Sequence, residues 1–357
     1  MRILQVLAGA QHGGAETAFV DMCIAMHQAG QTVEVVTRAN PIRVPRLRQA
    51  GVTVHTLPFG GGLDLYTPFA LKRIVRAFKP DIVQSWMSRA SQKIRRWSSS
   101  LGIPPYVVVS RLGGYYKIKN FQNTDHFTTI TPDIKRYLIE ECAIKQERIT
   151  HINNFAETED GFKPLNREEY NVPEDATLCL GLGRLHDSKA FDTLITAVAK
   201  LDDVYLWIAG EGPDRGELEA LIHELGVSNR VRLLGWRDDR AAILHASDIC
   251  VFSSRYEPFG TVFVQAWANR TALVTTDSDG PKQYVSHEQD GLVVSIDDVD
   301  VMAQEIQRLS QDQSLQEKLI ENGYQHYMRA FTKEKVVQSY LDLFETLSQK
   351  TNSETNA

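Results

Sequence analysis

Residues 249–276, ICVFSSRYEPFGTVFVQAWANRTALVTT, decide the fold. ICVFSS is a near-continuous apolar run of strand length, RYEPFG is a turn, TVFVQAWA is a helix, and ALVTT (272–276) is a second apolar strand. Two such strands on either side of a helix imply neighbours in a parallel sheet covered on both faces. The lone carboxylate of the stretch, Glu257, stands in the turn beside Pro258 and Gly260, where a doubly wound sheet binds its ligands.

The same alternation runs outward along the chain. RILQVLA (2–8), TVEVVT (32–37), VTVHTL (52–57), DIVQSW (81–86) and YVVVS (106–110) read as strands. Helical spacing separates them at 16–30, which ends on Gly30 as a C-cap, and at 69–79. The pattern restarts after residue 170, with strands at 176–183, 205–210, 231–235, 249–254, 272–276 and 291–295 and helices between them. A polar stretch broken by Gly and Pro, 152–172, parts the two series. The expected fold is therefore α/β, two doubly wound Rossmann-like domains, 1–155 and 170–330, facing each other across a cleft. Residues 349–357 are polar and read as a disordered tail.

Composition agrees with a globular chain of this size: 357 residues, 43% hydrophobic and 24% charged. Cys23, Cys142, Cys179 and Cys250 lie far apart without a CxxC pair, which favours reduced, mostly buried thiols over disulfides or a zinc site. No apolar run approaches ~18 residues, so no membrane-spanning helix is expected. The opening MRILQVLAGA reads as a first buried strand and not as a signal peptide, because Gln5 interrupts it and a Gly-rich turn follows. The net charge of −6 is unevenly spread: residues 1–155 hold 20 Lys and Arg against 10 Asp and Glu, the remainder 19 against 35. A basic first half suits an anionic partner.

Several turns that follow strands carry chemistry. QHGGAET (11–17) opens a helix, with Gly13 and Gly14 allowing close approach and free N–H groups facing an anion. In GLGRLHDSKAF (181–191), Arg184 and Lys189 lie between strand and helix, where a fork and a point charge could neutralise a diphosphate. Gly210 and Gly212 would admit a flat base or ribose, and the main chain at Trp236 and Arg237 could read a base edge. In the opening stretch Glu257 could accept hydrogen bonds from sugar hydroxyls. The N–H groups of Phe259, Gly260 and Thr261 would point at a phosphate, and Gln265 falls on the helix face that Thr261 starts.

In this order the motifs, a Gly-Gly turn, GR-x4-K, GEGP, LGW, S-x3-E-x-FG and DG-LV, resemble the glycosyltransferase group-1 superfamily over nearly the whole chain. The resemblance implies a retaining, metal-independent GT-B enzyme with no cofactor besides its nucleoside diphosphate sugar substrate, UDP- in preference to GDP-. It implies catalytic roles for Glu257 at the transferred sugar and for Arg184 and Lys189 at the diphosphate. The donor would also meet Gly14, Gly212, Trp236, Arg237, Phe259, Gly260, Thr261 and Gln265. A final helix, 333–347, would cross back onto the N-terminal domain, which would bind the acceptor. Two positions depart from the family. Gln265 replaces a second Glu, keeping an acceptor oxygen for ribose in a weaker, neutral bond. DIVQSWMSRA replaces a His-x-His run, so Trp86 offers an aromatic platform but no titratable group.

The basic half directs the acceptor reading. Lys72, Arg73 and Arg76 flank an apolar stripe, and Lys93, Arg95 and Arg96 follow near Trp97. Such a surface suits the inner face of the cytoplasmic membrane and an anionic glycolipid. The function expected is transfer of a hexose-type sugar to a bacterial lipopolysaccharide core or related surface glycan, at a cytoplasmic, peripheral membrane location and without nucleic acid. The alternatives are a GT-B epimerase or hydrolase of the nucleotide sugar, or a non-catalytic partner that only binds it.

Overall fold

A computed structural model describes residues 1–11, 13–61, 63–156, 161–163 and 165–356. Backbone contacts divide the chain into two compact units, Met1–Asn154 with Lys333–Ala357, and Phe155–Thr332.

Unit 1 holds a seven-stranded sheet with strands β1 (Arg2–Leu7), β2 (Thr32–Thr37), β3 (Thr53–Thr56), β4 (Ile82–Trp86), β5 (Val107–Leu112), β6 (His126–Thr129) and β7 (Ile149–His151). Their order is β3-β2-β1-β4-β5-β6-β7, with every pairing parallel. All residues of β4 and β5 are buried, as expected of central parallel strands covered on both faces. Helices α1 (Gly14–Gln28), α2 (Arg43–Gln49), α3 (Tyr66–Phe78), α4 (Met87–Ser91) and α5 (Pro132–Glu140) fill the crossovers. The start of α5 shows how local sequence sets a boundary. Thr131 Oγ1 accepts from the Ile134 N–H at 3.2 Å, Pro132 takes the first turn, and Asp133 faces the helix dipole.

Unit 2 repeats the plan with β8 (Thr177–Leu182), β9 (Val204–Ala209), β10 (Val231–Gly235), β11 (Ile249–Phe252), β12 (Ala272–Thr276) and β13 (Leu292–Val294), in the parallel order β10-β9-β8-β11-β12-β13. Its helices are α6 (Phe191–Ala199), α7 (Arg215–Glu224), α8 (Arg240–His245), α9 (Thr261–Ala268), α10 (Val299–Gln311) and α11 (Gln313–Ala330). Leu194, Ile195 and Val198 of α6 meet Leu206 and Ile208 of β9, Ile306 of α10 and the central strands in one apolar core. In each sheet the order reverses once, between β1 and β4 and between β8 and β11. Those are the switch points at which such sheets take ligands.

The last helix, α12 (Lys333–Asn356), lies against α1 and β5, with Val336, Val337, Tyr340 and Phe344 buried. It corrects the reading of 349–357 as a disordered tail, since the chain is helical through Asn356. The polar end extends a helix already nucleated by packing, so each added residue costs little. Gln349 Nε2 donates back to Glu345 at 3.2 Å and Thr351 Oγ1 to the Leu347 carbonyl at 3.1 Å. Ala357 lies outside the described residues. The sequence reading also passed over β6 and β7, which are four and three residues long and rich in Thr and His. All four cysteines are free thiols, and burial pushes those of Cys23, Cys179 and Cys250 up, the last to about 12.

Candidate active site

The switch point of unit 2 brings together the two turns singled out in the sequence. After β8 the chain runs through a 3-10 turn, Asp187–Lys189, and Ala190 in the left-handed region starts α6. After β11 comes the turn carrying Glu257, and Gly260, at φ 86°, starts α9. The two turns are stitched together. Ser253 Oγ donates to the Lys189 carbonyl at 2.8 Å, and the Arg255 N–H donates to the Ser188 carbonyl at 2.9 Å. As a result the Lys189 ammonium is ion-paired with the Glu257 carboxylate, and both side chains are about four-fifths covered. Lys189 Nζ also stands 5.6 Å from the centre of the Phe252 ring. The cation expected at a diphosphate and the carboxylate expected at a sugar therefore hold each other.

Arg255, which the sequence reading missed, fixes this arrangement. Its guanidinium donates to the Asp187 carbonyl at 2.8 Å, to Asp192 at 2.6 Å, to Thr193 Oγ1 at 3.2 Å and to Asp297 at 2.9 Å. It thus clamps both ends of the Lys189 turn to the Glu257 turn and to the loop after β13. Its hydrogen bonds to Asp192 and Asp297 push the Arg255 pKa up, so the clamp is charged at any working pH. Burial opposes ionisation of Asp297, yet the Arg255 and Thr193 bonds still leave it below the usual carboxylate range. The signal available in sequence was only an Arg two residues before the Glu.

Arg184 is exposed on the same edge and has no ion-pair partner among the described residues. At the start of α9, none of the described backbone hydrogen bonds uses the N–H groups of Phe259, Gly260 or Thr261. The Phe259 side chain is the anchor of this turn, packed against Phe263, Tyr284 and Phe331. Gly260 is required here, because its φ is positive and a Cβ would press on the Phe252 ring at 2.7 Å. Gln265 is half-buried on the next turn of α9, and its side-chain amide has no partner among the described residues.

One donor-side reading changes. Gly212 does not stand open for a base or ribose, because a Cβ there would run into the Leu185 carbonyl, and one on Gly210 into the Gly183 carbonyl. These glycines let the turn after β9 pass against the Arg184 turn, so the approach they permit is the chain's own. The Arg237 side chain is forked onto Asp239 at 2.9 and 2.5 Å and reaches the Tyr170 hydroxyl at 3.3 Å. The Asp239 bond raises its pKa, and only its main chain is left to meet a base. Trp236 is 66% exposed, its indole N–H donating to Asp238 at 2.9 Å. A separate cavity of about 480 Å³, beside Leu165, Glu168, Val172 and His245, contains none of these residues.

Unit 1 corrects more. Gly14 is the first residue of α1 with open space around it, whereas Gly13 is hemmed in by the Glu16 carboxylate. Glu16 accepts from the Ala10 N–H at 2.7 Å, so a carboxylate of the chain already occupies the helix N-terminus expected to meet an anion. His12 lies outside the described residues. Trp86 is no platform, being 1% exposed. Its indole donates to Gln5 Oε1 at 2.7 Å, Phe19 packs on its edge, and the Arg111 guanidinium lies 4.0 Å from the ring centre. Gln84, also buried, accepts from Gln5 Nε2 at 2.8 Å.

Of the basic residues, Lys72, Arg73 and Arg95 are exposed, and Arg76 is exposed while donating to the Leu101 carbonyl at 3.3 Å. Lys93 and Arg96 are engaged. Lys93 Nζ donates to the Gly61 and Asp64 carbonyls at 3.1 and 3.0 Å, and Arg96 pairs with Asp125 at 2.9 Å. Among the described residues no group of three His, Cys, Asp or Glu side chains could hold a metal ion, and no helix is long and apolar enough to cross a membrane.

Comparison with known proteins follows the division into two units. The profile of glycosyl transferases group 1 matches residues 162–326, and that of glycosyltransferase family 4 matches residues 12–160. The lipopolysaccharide core biosynthesis glycosyltransferase LpsE of Rhizobium meliloti is 35% identical over 335 residues, 93% of this chain and 95% of its own. LpsD of the same organism, also described as a lipopolysaccharide core biosynthesis glycosyltransferase, is 32% identical over 97% of this chain and 98% of its own. Among solved structures, Anabaena HepE in complex with UDP and glucose superposes with a TM-score of 0.82 at 20% identity, covering 97% of this chain and all of that one.

Proposed function

Because the chain belongs to the group-1 glycosyltransferases and has the GT-B fold, we propose that it moves a hexose from a UDP-sugar to a lipopolysaccharide-core glycolipid, with retention at the anomeric carbon. The names of LpsE and LpsD support the acceptor class, and the UDP and glucose bound to HepE support the donor class. The observation that carries the reading is the Lys189–Glu257 pair at the switch point of unit 2, beside the N–H groups that start α9, which no described backbone hydrogen bond uses.

The chemistry follows from those groups. Lys189, Arg184 and the start of α9 take the charge that develops on the departing diphosphate, with no metal or further cofactor required. Glu257 accepts hydrogen bonds from hydroxyls of the transferred hexose. The acceptor oxygen attacks the anomeric carbon on the face that the diphosphate leaves, and the departing phosphate oxygen takes the acceptor's proton. The new C–O bond replaces the bond to phosphate, and configuration is kept. Donor contacts fall to unit 2, acceptor contacts to unit 1. The basic side of unit 1 meets the inner face of the cytoplasmic membrane.

The test is a thermal-shift screen of UDP- and GDP-hexoses, followed by mass spectrometry and NMR of products made with truncated core glycolipids. UDP-hexose stabilisation and an axial-to-axial transfer are expected. A product of opposite anomeric configuration, or free hexose in place of a glycolipid product, would remove the reading.

Gln265 gives a finer check. If its amide meets the ribose, Gln265→Ala raises the donor KM about 5- to 10-fold and lowers kcat less than twofold, the pattern of a lost uniform-binding contact. Gln265→Glu lowers KM a few-fold, since a charged acceptor makes the stronger hydrogen bond. A fall in kcat with KM unchanged would place Gln265 at the reacting sugar instead.

A further inference from the structure

The Lys189 turn has only one 3-10 turn of regular structure, so its shape depends on what its carbonyls meet. Three successive ones, of Asp187, Ser188 and Lys189, all accept from the Glu257 turn. Ser253 Oγ serves Lys189, the Arg255 and Tyr256 N–H groups serve Ser188 at 2.9 and 3.3 Å, and the Arg255 guanidinium serves Asp187. Of these donors the guanidinium is the one that also reaches past the two turns. Nη2 donates to Asp192 and Thr193 in the first turn of α6, and Nε to Asp297 in the loop after β13. Thr193 Oγ1 donates in turn to Asp297 at 2.8 Å, which closes a ring around the guanidinium.

The residue type fits the post. A guanidinium holds its donors in one rigid plane, so each edge can take a different neighbour, whereas an ammonium is a flexible point charge. Asp187, Asp192 and Asp297 converge on Arg255, and none of them pairs with another cation among the described residues. Without it, three carboxylates would face one another and spread the turns that carry them.

We propose that Arg255 is a positioning residue for sugar transfer: touching neither substrate, it holds the Lys189 and Glu257 turns at the separation where the ammonium meets the leaving diphosphate and the carboxylate the hexose. For the roles of those two residues this rests on the reaction proposed above, though not for their being held together. The effect belongs to the transition state, since a misplacement of ~1 Å can lower a rate ~100-fold. Lys189 still supplies its charge near the phosphates when the clamp is lost, so the ground state suffers less.

The test has an arm with substrate and an arm without. Arg255→Ala should lower kcat about 10- to 100-fold and change the donor KM less than about threefold. Arg255→Lys keeps the charge but not the fork and should lose nearly as much. A fully active Arg255→Lys overturns the proposal. In a Lys189→Ala background, Arg255→Ala should cost at least about fivefold less than in wild type, because one of the groups it positions is already gone. An equal, additive loss there also overturns it, as a merely structural role would give that result. On the free enzyme, acetylation of Lys189 read by peptide mass spectrometry should speed up about two- to fivefold in both Arg255 variants as the pair with Glu257 loosens. The exposed Lys72 in unit 1 is the reference, and an unchanged Lys189 rate overturns the proposal. Should Arg255→Ala fail to fold, Arg255→Lys carries every arm. Absence of transfer by wild type with any hexose donor would count against the proposed reaction and leave the labelling of Lys189 to decide the role of Arg255.

Discussion

Lys189→Ala and Arg184→Ala are each expected to lower turnover at least ~100-fold with the fold intact, the usual loss when a charge-stabilising contact to a leaving group is removed. The two should differ in how they do so. Arg184 is exposed and has no ion-pair partner among the described residues, so on the proposed assignment its removal takes away only what it gives to the bound diphosphate. Lys189 is already committed to Glu257, and its removal also leaves that carboxylate, about four-fifths covered, without its cation. Lys189→Ala should therefore weaken UDP binding more than Arg184→Ala, because an uncompensated carboxylate then faces the phosphates. The double variant Lys189→Ala with Glu257→Ala separates the two effects, since residues in contact do not act additively. Near-normal activity in both single variants would remove the proposed diphosphate site.

Glu257→Ala is expected to lower turnover by a similar factor and to affect UDP in the opposite sense. On the proposed assignment Glu257, ion-paired with Lys189, competes with the diphosphate for the same ammonium. Deleting it frees the ammonium and removes a negative charge beside the phosphates, so UDP should bind equally well or tighter. Calorimetry with UDP and kinetics with the UDP-hexose measure the two effects. A fully active Glu257→Ala enzyme would end the assignment, and a large loss of UDP affinity would show that Glu257 positions the diphosphate site.

The strands and the Glu257 turn were legible because both leave local marks. A buried parallel strand is a short apolar run, and a turn that starts a helix after it needs a residue such as Gly260. What local pattern could not show was the direction in which a side chain ends up pointing. In β4 every residue is buried, so alternation gives no clue that Trp86 turns inward to Gln5 and Arg111. Lys93 and Arg96 carry the same charge as Lys72, yet their partners, Asp64 and Asp125, lie 29 residues away in the chain. Gly212 was recognised as a place of close backbone approach, but the backbone that approaches belongs to Leu185. Arg255 was missed for the same reason, its carboxylates lying at the two ends of the Lys189 turn and in the loop after β13, all more than 40 residues away in the chain.

The Lys189–Glu257 pair also bears on which solutes can enter the site. On the proposed assignment, each half of the pair stands in for a part of the donor, the carboxylate for a phosphate and the ammonium for a row of hydroxyls. A bare anion such as inorganic phosphate can replace only one half, and in doing so strands the other. A free hexose fails in the mirror sense. Only a molecule carrying phosphate and hydroxyls at the right separation exchanges both partners at once. On that assignment the ion pair would discriminate against the abundant anions and sugars around it without a steric gate, by a mismatch that each of them would have to leave behind.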